Sequence, residues 1–297
     1  DPEKGTFSHF INDDADPSSI SSNNIKTMME DRRGNFWIGT EGGGLNLMDR
    51  NAGTFGRFAH EAGDTTSLSN DDVRALFEDS RGRIWVGTAD GLCLLNSDGN
   101  NFNVITVENG LPNNVINGIQ EDDKGNLWIS TNRGLSCYHT ETGKFRNYTV
   151  SDGLQANDFN YTASLKGSNG LLYFGGSNGF NVFHPASIVD NPYHPAIVFT
   201  GFHLFGREIQ PGDTVNKRVI LERNINETEL IRLSYRENVF TLEFAGLHYS
   251  APERNSYLYR MEGFDEEWIS ASANMRNATY MNLPAGDFTF SVKAANS

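Results

Sequence analysis

The sequence lacks the features that mark membrane-spanning chains and metal sites. No apolar run approaches the ~20 residues needed to cross a bilayer, and the opening residues, DPEKGTFSHF, are polar and carry no secretory signal. Neither CxxC nor HxxxH occurs, and the seven histidines are scattered along the chain. The sequence therefore predicts no metal site, and nothing in it indicates a cofactor.

Basic residues are scarce as well. Against 38 Asp and Glu there are 24 Lys and Arg, which gives a formal net charge of −14. Such an acidic chain is a poor partner for nucleic acid or for an anionic membrane surface, so we predict that it binds neither. What the chain does contain is 30 glycines and 20 phenylalanines, a mixture that favours strands joined by tight turns.

One motif recurs at a nearly constant interval. It reads EDRRGNFWIGTEGGGL at Glu30–Leu45, returns as EDSRGRIWVGTADGL and EDDKGNLWISTNRGL, and has a weaker fourth copy, KGSNGLLYFGGSNGF. Its turn glycines are separated by 48, 43 and 45 residues and are Gly34, Gly82, Gly125 and Gly170. A period in the mid-forties, filled with strand-like segments, is the length of a four-stranded propeller blade. The sequence therefore predicts about four blades.

The motif itself is predicted to be structural. In the first copy Asp31 can accept hydrogen bonds from backbone amides ahead of it, and Gly34 can adopt the positive φ that closes a hairpin. The tryptophan that follows lies in an inner strand, where it can pack between neighbouring blades. A catalytic group is needed once per site, whereas this motif occurs once per blade. We therefore predict no catalytic residue in it and expect buried side chains at Trp37, Trp85 and Trp128.

Polar pairs precede the first strand of each unit and provide the candidate ligand-binding residues. In a propeller such loops gather on one rim around the axis, where amides and carboxylates can hydrogen-bond sugar hydroxyls. The alternative is that each pair forms a turn that satisfies its own backbone. The candidates are Asn23, Asn24, Asn70, Asp71, Asn113, Asn114, Asn157 and Asp158.

The N-terminal residues TFSHF, Thr6–Phe10, are similar to the last strands of the units, such as TFGRF. The chain is therefore predicted to begin inside a blade, with Thr6–Phe10 pairing as an outer strand. Because the fourth unit has no clear last strand, Thr6–Phe10 would either close the ring on Gly179–Phe183 of the same chain or pair with another chain.

The two cysteines, Cys93 and Cys137, lie in equivalent strands of neighbouring units. Cys93 is two residues after Gly91, whereas Cys137 is three residues after Gly134. Because side chains alternate along a strand, this offset points the two thiols to opposite faces. No disulfide between them is predicted.

The pattern changes after His184. Pro185, Pro192 and Pro195 are typical of a linker, the 45-residue period ends, and short strand-like runs follow, among them ETELIRLSY at 227–235. These runs indicate an antiparallel β-sandwich of immunoglobulin or fibronectin type. The predicted fold class is therefore all-β, with a partial β-propeller of about four blades at residues 1–192 and a sandwich at residues 193–297 that lacks its last strand.

The two halves together resemble a known family. GNLWISTNRGL and GRIWVGTADGL are similar to the regulator-propeller repeats of bacterial hybrid two-component sensors. The stretch from NVFTLEFAGLHYS to NLPAGDFTFSVKAANS is similar to the Y_Y_Y domain that follows those repeats. Its resemblance is carried by Tyr249, Tyr257, Tyr259 and Trp268, which we expect to pack in the core. In that family the pair forms a periplasmic sensor region, followed by a transmembrane helix, a histidine kinase, a receiver and a DNA-binding domain.

The resemblance implies a periplasmic sensor that is not itself an enzyme. Its ligand would be a glycan-derived oligosaccharide, and its output would be transcription of glycan-utilisation genes. A homodimer through the sensor region is expected, and only flanking segments absent from this sequence would contact the membrane. Two other functions stay open. A carbohydrate-active propeller enzyme would need two carboxylates about 5–10 Å apart, for which Asp71 and Asp158, at equivalent positions of different blades, are candidates. The second is a protein-binding scaffold, which would need no such pair of carboxylates.

Overall fold

The structure is a computed structural model that describes residue 5 and residues 7–188, 196–247 and 255–295. The chain divides into two compact units, Asp1–Val189 and Asp190–Ser297. The boundary predicted between residues 192 and 193 lies outside the described residues. The all-β fold class is confirmed, since the described residues form antiparallel strands with four short 3-10 helices at Val107–Asn109, Val150–Asp152, Pro185–Ser187 and Ile225–Glu227.

The first unit consists of consecutive antiparallel sheets, one for each repeat. The first three sheets have the strand orders β1-β2-β3-β4, β5-β6-β7-β8 and β9-β10-β11-β12, and the fourth has the order β13-β14-β15 within the described residues. The strands are β1 Ile25–Glu30, β2 Phe36–Thr40, β3 Leu45–Asp49, β4 Thr54–Phe58, β5 Val73–Glu78, β6 Ile84–Thr88, β7 Gly91–Leu95, β8 Phe102–Ile105, β9 Ile116–Glu121, β10 Leu127–Thr131, β11 Gly134–His139, β12 Lys144–Tyr148, β13 Phe159–Lys166, β14 Leu172–Gly176 and β15 Gly179–Phe183. These sheets are the predicted blades, numbered one to four below.

The repeated motif forms the turn between the first two strands of each blade. In the first blade Asp31 Oδ1 accepts hydrogen bonds from the amides of Arg33 and Asn35, and Gly34 has a φ of 83°. One further bond was not predicted from the sequence. Asp31 Oδ2 also accepts a hydrogen bond from the indole Nε1–H of Trp37 at 2.9 Å. The motif therefore joins a turn to a buried ring.

Burial of the three repeat tryptophans is confirmed. Trp37, Trp85 and Trp128 are 4%, 1% and 3% exposed. Each carries the same indole bond to an aspartate of its own blade, and Trp85 and Trp128 pair with Asp79 and Asp122. An indole N–H at this depth needs a protein acceptor because water cannot reach it.

Consecutive blades pack through separate apolar clusters. Trp37 of the first blade lies in one cluster with Val86 and Cys93 of the second, whereas Cys137 of the third blade packs with Phe174 of the fourth. The two thiols therefore face opposite sides, as predicted, and both are free and buried. The first strands of consecutive blades, β1, β5, β9 and β13, lie side by side and form the inner edge of the array.

The prediction that Thr6–Phe10 closes the ring on β15 of the same chain is wrong, whereas its pairing with another chain stays a prediction. Thr6 lies outside the described residues, and Phe7–Phe10 form no strand and do not pair with β15. Phe7 is 90% exposed, but the ring of Phe10 packs edge-on against Phe55 of the first blade with the centroids 5.6 Å apart. Aromatic packing on the first blade thus decided where this segment lies, rather than pairing with the open edge of the fourth.

The second unit is a sandwich of two sheets with a small additional hairpin. One sheet has the order β17-β16-β20-β23, the other has the order β22-β21-β24, and β18 pairs with β19. The strands are β16 Ala196–Leu204, β17 Arg207–Glu208, β18 Thr214–Val215, β19 Arg218–Val219, β20 Val239–Leu247, β21 Ser256–Glu262, β22 Ile269–Ala271, β23 Asn277–Met281 and β24 Thr289–Ala295. A single apolar cluster lies between the sheets.

The tyrosines that carry the resemblance lie in or beside this core. Tyr257 is buried in the cluster and Tyr259 packs against it, while Tyr249 lies outside the described residues. Trp268 is only partly buried and carries the ammonium of Lys293 over its ring, 4.0 Å from the centroid. The expected core role thus applies to the two described tyrosines.

The strand predicted from ETELIRLSY is absent. Residues 228–235 form no ladder, although Ile231 and Leu233 still pack against the core. The alternating apolar residues of this segment therefore still form a face that packs against the core. However, alternation does not require a neighbouring strand with free hydrogen-bonding groups.

Candidate functional site

The predicted rim residues mainly hold the blades together. In each of the four loops, one side-chain oxygen accepts a hydrogen bond from a backbone amide at the start of that loop, at 2.7–2.9 Å. The donor amides and their acceptor residues are Asn12 and Asn23, His60 and Asp71, Val107 and Asn114, and Val150 and Asn157. The carbonyl oxygens of the last three accept hydrogen bonds from Gly44, Gly91 and Gly134 of the preceding blades. The backbone role of these side chains is thus present in every blade.

The structure also corrects the register of the polar pairs. By this bonding pattern Asp71 matches Asn23, Asn114 and Asn157, so Asp158 matches Asp72 and not Asp71. The first members of two pairs, Asn70 and Asn113, accept from the amides of Asp72 and Val115 in local turns. The suggestion that Asp71 and Asp158 occupy equivalent positions is therefore wrong.

Beside this rim, a polar cluster lies at the start of the inner strands. We name it the inner-strand cluster, and its members are Lys26, Glu41, Asp72, Arg74 and Tyr161. Lys26 Nζ lies 2.5 Å from Glu41 Oε2 and 5.4 Å from the centroid of the Tyr161 ring. Arg74 binds Asp72 at 2.7 Å. The cluster therefore connects the first, second and fourth blades.

One predicted rim residue, Asn24, belongs beside this cluster, because its Nδ2–H donates to Glu41 Oε2 at 2.6 Å. The five members of the cluster itself were missed by sequence reasoning. A signal was present, since Lys26 and Tyr161 place a charged and an aromatic side chain near the starts of first strands whose other residues are largely apolar or small.

Tyr161 is presented by an irregular part of β13. Phe159 pairs with Gly176 and Ser164 pairs with Phe174, so residues 160–163 bulge out opposite a single residue of β14. Within the bulge Thr162 has a φ of 59°, a strained value for a β-branched residue. The Tyr161 side chain is 51% exposed at this point. The bulge therefore directs an aromatic face towards Lys26 and solvent.

The electrostatics of the cluster are balanced. The hydrogen bond between Lys26 and Glu41 lowers the pKa of Glu41 and raises the pKa of Lys26, so both side chains stay ionised at neutral pH. Two cations are matched by two carboxylates, which leaves no net charge. Asp72 Oδ1 is buried without a hydrogen-bond donor among the described residues. Together, an aromatic face and paired charges suit a neutral polyhydroxylated ligand.

A metal-dependent site finds no support in the described part of the chain. No group of three or more His, Cys, Asp and Glu side chains is arranged there to hold a metal ion. In the same residues no helix is long and apolar enough to cross a membrane.

Parts of both units match known domain families. Residues 19–42, 67–90 and 110–133 match the two component regulator propeller family. Residues 248–297 match the Y_Y_Y domain. The fourth blade, whose motif has diverged, lies outside the matched stretches.

Two known proteins are similar to larger parts of this chain. The extracellular domain of BT3049 from B. thetaiotaomicron, described as a hybrid two component system, is 31% identical, with a TM-score of 0.79 over 96% of this chain and 37% of its own. Histidine kinase P4 of Formosa agariphila is 34% identical over 142 residues, which are 48% of this chain and 10% of that protein. This chain thus spans about a third of the first relative and a tenth of the second.

The resemblance inferred from the sequence is therefore confirmed. The chain combines two component regulator propeller repeats with a Y_Y_Y domain and resembles the extracellular domain of a hybrid two-component system. The extracellular domain of BT4673 from B. thetaiotaomicron is less similar, with 22% identity and a TM-score of 0.44. The match covers 92% of this chain and 47% of that one.

Proposed function

We propose that this chain is the periplasmic ligand-sensing part of a hybrid two-component histidine kinase. In this proposal it binds a glycan-derived oligosaccharide and is not itself an enzyme. Binding is relayed across the membrane by segments outside this chain and controls transcription of glycan-utilisation genes. The similarity to the extracellular domain of BT3049 and to histidine kinase P4 supports the sensor assignment.

The observation that carries the ligand class is the exposed ring of Tyr161 within a cluster of no net charge. A tyrosine ring offers an apolar face on which the C–H face of a sugar can pack. The adjacent Glu41 and Asn24 supply acceptors and donors for hydroxyl groups. Because the charges are matched, neutral sugars fit this site better than sulfated or uronic ones.

The carboxylates of the cluster argue against a glycosidase. A general acid in such an enzyme needs a raised pKa, so that it is protonated at the working pH. The pKa of Glu41 is instead lowered by its hydrogen bond to Lys26, and Asp72 is paired with Arg74. Both carboxylates therefore suit binding better than proton transfer.

The test is calorimetric titration of the whole chain with a panel of oligosaccharides, for wild type and Tyr161→Ala. We expect saturable binding without turnover and a loss of at least ~10-fold in affinity for the variant. Tyr235→Ala is the matched control, because Tyr235 is 81% exposed in the second unit and lies outside the site. Product formation would support the enzyme instead. Equal affinities of wild type and Tyr161→Ala would show that this cluster is not the site.

A further inference from the structure

The inner strands of the first three blades share an irregularity at the same point. In each of them a single residue bulges out between two paired residues, and the three bulge residues are Lys26, Arg74 and Asn117. Bulges of this kind re-aim a side chain and are common beside active sites. Lys26 and Arg74 belong to the inner-strand cluster, whereas Asn117 of the third blade is only 2% exposed. Asn117 therefore has a different role from its two repeat equivalents.

The side chain of Asn117 binds the fourth blade. Its Nδ2–H donates to the carbonyl oxygen of Phe159 and to Asn132 Oδ1, both at 2.8 Å. Phe159 is the paired residue of β13 that directly precedes the bulge carrying Tyr161. Asn117 therefore holds the backbone at the point where that bulge begins.

The other end of the bulge is held by the same strand of the third blade, β9. Gln120 Nε2–H donates to Ser164 Oγ at 3.1 Å, and Ser164 is the first residue of β13 that is paired again after the bulge. Gly118 permits this close approach, because a Cβ at that position would lie 2.7 Å from Ser164 Oγ. Side chains of β9 thus bind both ends of residues 160–163.

The bulge between these two ends is longer than its equivalents. Four residues, 160–163, lie between paired residues of β13, where the other inner strands have one. Tyr161 and Thr162 are exposed within it, and Thr162 has a φ of 59°. A strained conformation of this kind persists only where the surrounding structure imposes it. In the bulge, that constraint comes from the two bonds that β9 makes to its ends.

We propose that Asn117 and Gln120 are positioning residues of the candidate site. They fix the bulge so that the ring of Tyr161 faces Lys26 before any ligand is bound. The inference rests on the proposed function, in which this ring receives a neutral oligosaccharide. A segment that is ordered during folding loses less conformational freedom when the ligand binds, so the affinity is higher. Asn117 and Gln120 thus raise the affinity without belonging to the inner-strand cluster.

The first test needs no ligand. The whole chain is labelled with 3-fluorotyrosine, and the fluorine resonance of Tyr161 is identified as the one that Tyr161→Phe removes. We expect Asn117→Ala and Gln120→Met to shift or broaden this resonance, because the ring loses its fixed position. An unchanged resonance in a folded variant would overturn the positioning role of the residue concerned.

Asn126→Ala is the matched control. Asn126 lies in the same blade, at the turn between β9 and β10, and donates one hydrogen bond to Asp122 at 3.0 Å. Gln120→Met also removes one side-chain hydrogen bond of this blade, so a general loss of stability would affect both variants alike. Only Gln120→Met should alter the resonance of Tyr161.

The second test is calorimetric titration of the same variants with the neutral oligosaccharide that wild type binds most tightly. Asn117→Ala and Gln120→Met should each weaken binding about 5-fold, the effect of one lost hydrogen bond, and Asn126→Ala should bind like wild type. If Tyr161→Ala abolishes binding while the first two variants keep it, the positioning role is overturned and the proposed function stands. If the resonance of Tyr161 responds to both variants in a chain that binds no oligosaccharide, the positioning role is supported and the proposed function is contradicted.

Discussion

The bond between Asp79 and Trp85 offers a direct measure of what the repeated motif contributes. Asp79 is fully buried and accepts hydrogen bonds from the Trp85 indole at 2.9 Å, from the amides of Arg81 and Arg83, and from Arg83 Nε at 2.6 Å. Asp79→Ala would leave these buried donors without an acceptor. We expect it to lower the free energy of unfolding by about 3–5 kcal/mol, as when one partner of a buried charged pair is removed.

A double-mutant cycle isolates the indole bond. Asp79→Ala, Trp85→Phe and the double variant are unfolded in urea and followed by circular dichroism, which does not depend on tryptophan emission. The double variant should be more stable than the sum of the single effects predicts, by about 1.5–3 kcal/mol, the range for a hydrogen bond to a charged group. A coupling energy below about 0.5 kcal/mol would refute the assignment of this bond.

The pH dependence supplies an independent check. Burial raises the pKa of Asp79, but the hydrogen bonds from Trp85 and Arg83 outweigh it and leave the pKa below its ordinary value of 3.8. The stabilisation is therefore fully present above pH 3.8 and is lost as the pH falls through the lowered pKa of the folded state. The cost of Asp79→Ala should thus stay constant near neutral pH. Asp98→Ala, at an exposed turn of the same blade, is the control and should have a much smaller effect.

Three further predictions concern other parts of the chain. Burial raises the pKa of the Cys137 thiol to about 12 and also raises that of Cys93, so alkylation followed by mass spectrometry should label neither thiol in the folded protein and both in urea. Phe10→Ala should lower stability by about 1 kcal/mol through the lost ring pair with Phe55, whereas Phe7→Ala should be neutral, and equal effects in thermal unfolding would contradict the packing. Tyr280→Phe removes a 2.6 Å hydrogen bond to Asp265 and should destabilise the second unit by about 1–3 kcal/mol, while Tyr235→Phe should leave the melting temperature unchanged.

The fourth blade shows what happens when the motif diverges. Gly167 stands where the other blades have aspartate, and Tyr173 stands where they have tryptophan. The two changes belong together, because without an indole N–H the buried carboxylate would lose a principal donor. The turn itself survives, since Gly170 keeps a φ of 78° and Gly167 N–H still donates to Leu171.

The blades and the faces of their side chains could be predicted from local sequence patterns. Turn glycines, alternating apolar residues and the offset of Cys93 from Cys137 act over a few residues, so a linear pattern suffices to predict them. The candidate site could not be predicted in this way, because its residues come from different blades. Lys26 and Tyr161 belong to the first and fourth blades and meet because of how successive blades are placed around the inner strands and how far the β13 bulge extends. The position of Phe7–Phe10 could not be predicted either, because a strand-like sequence does not specify which edge or ring it will contact.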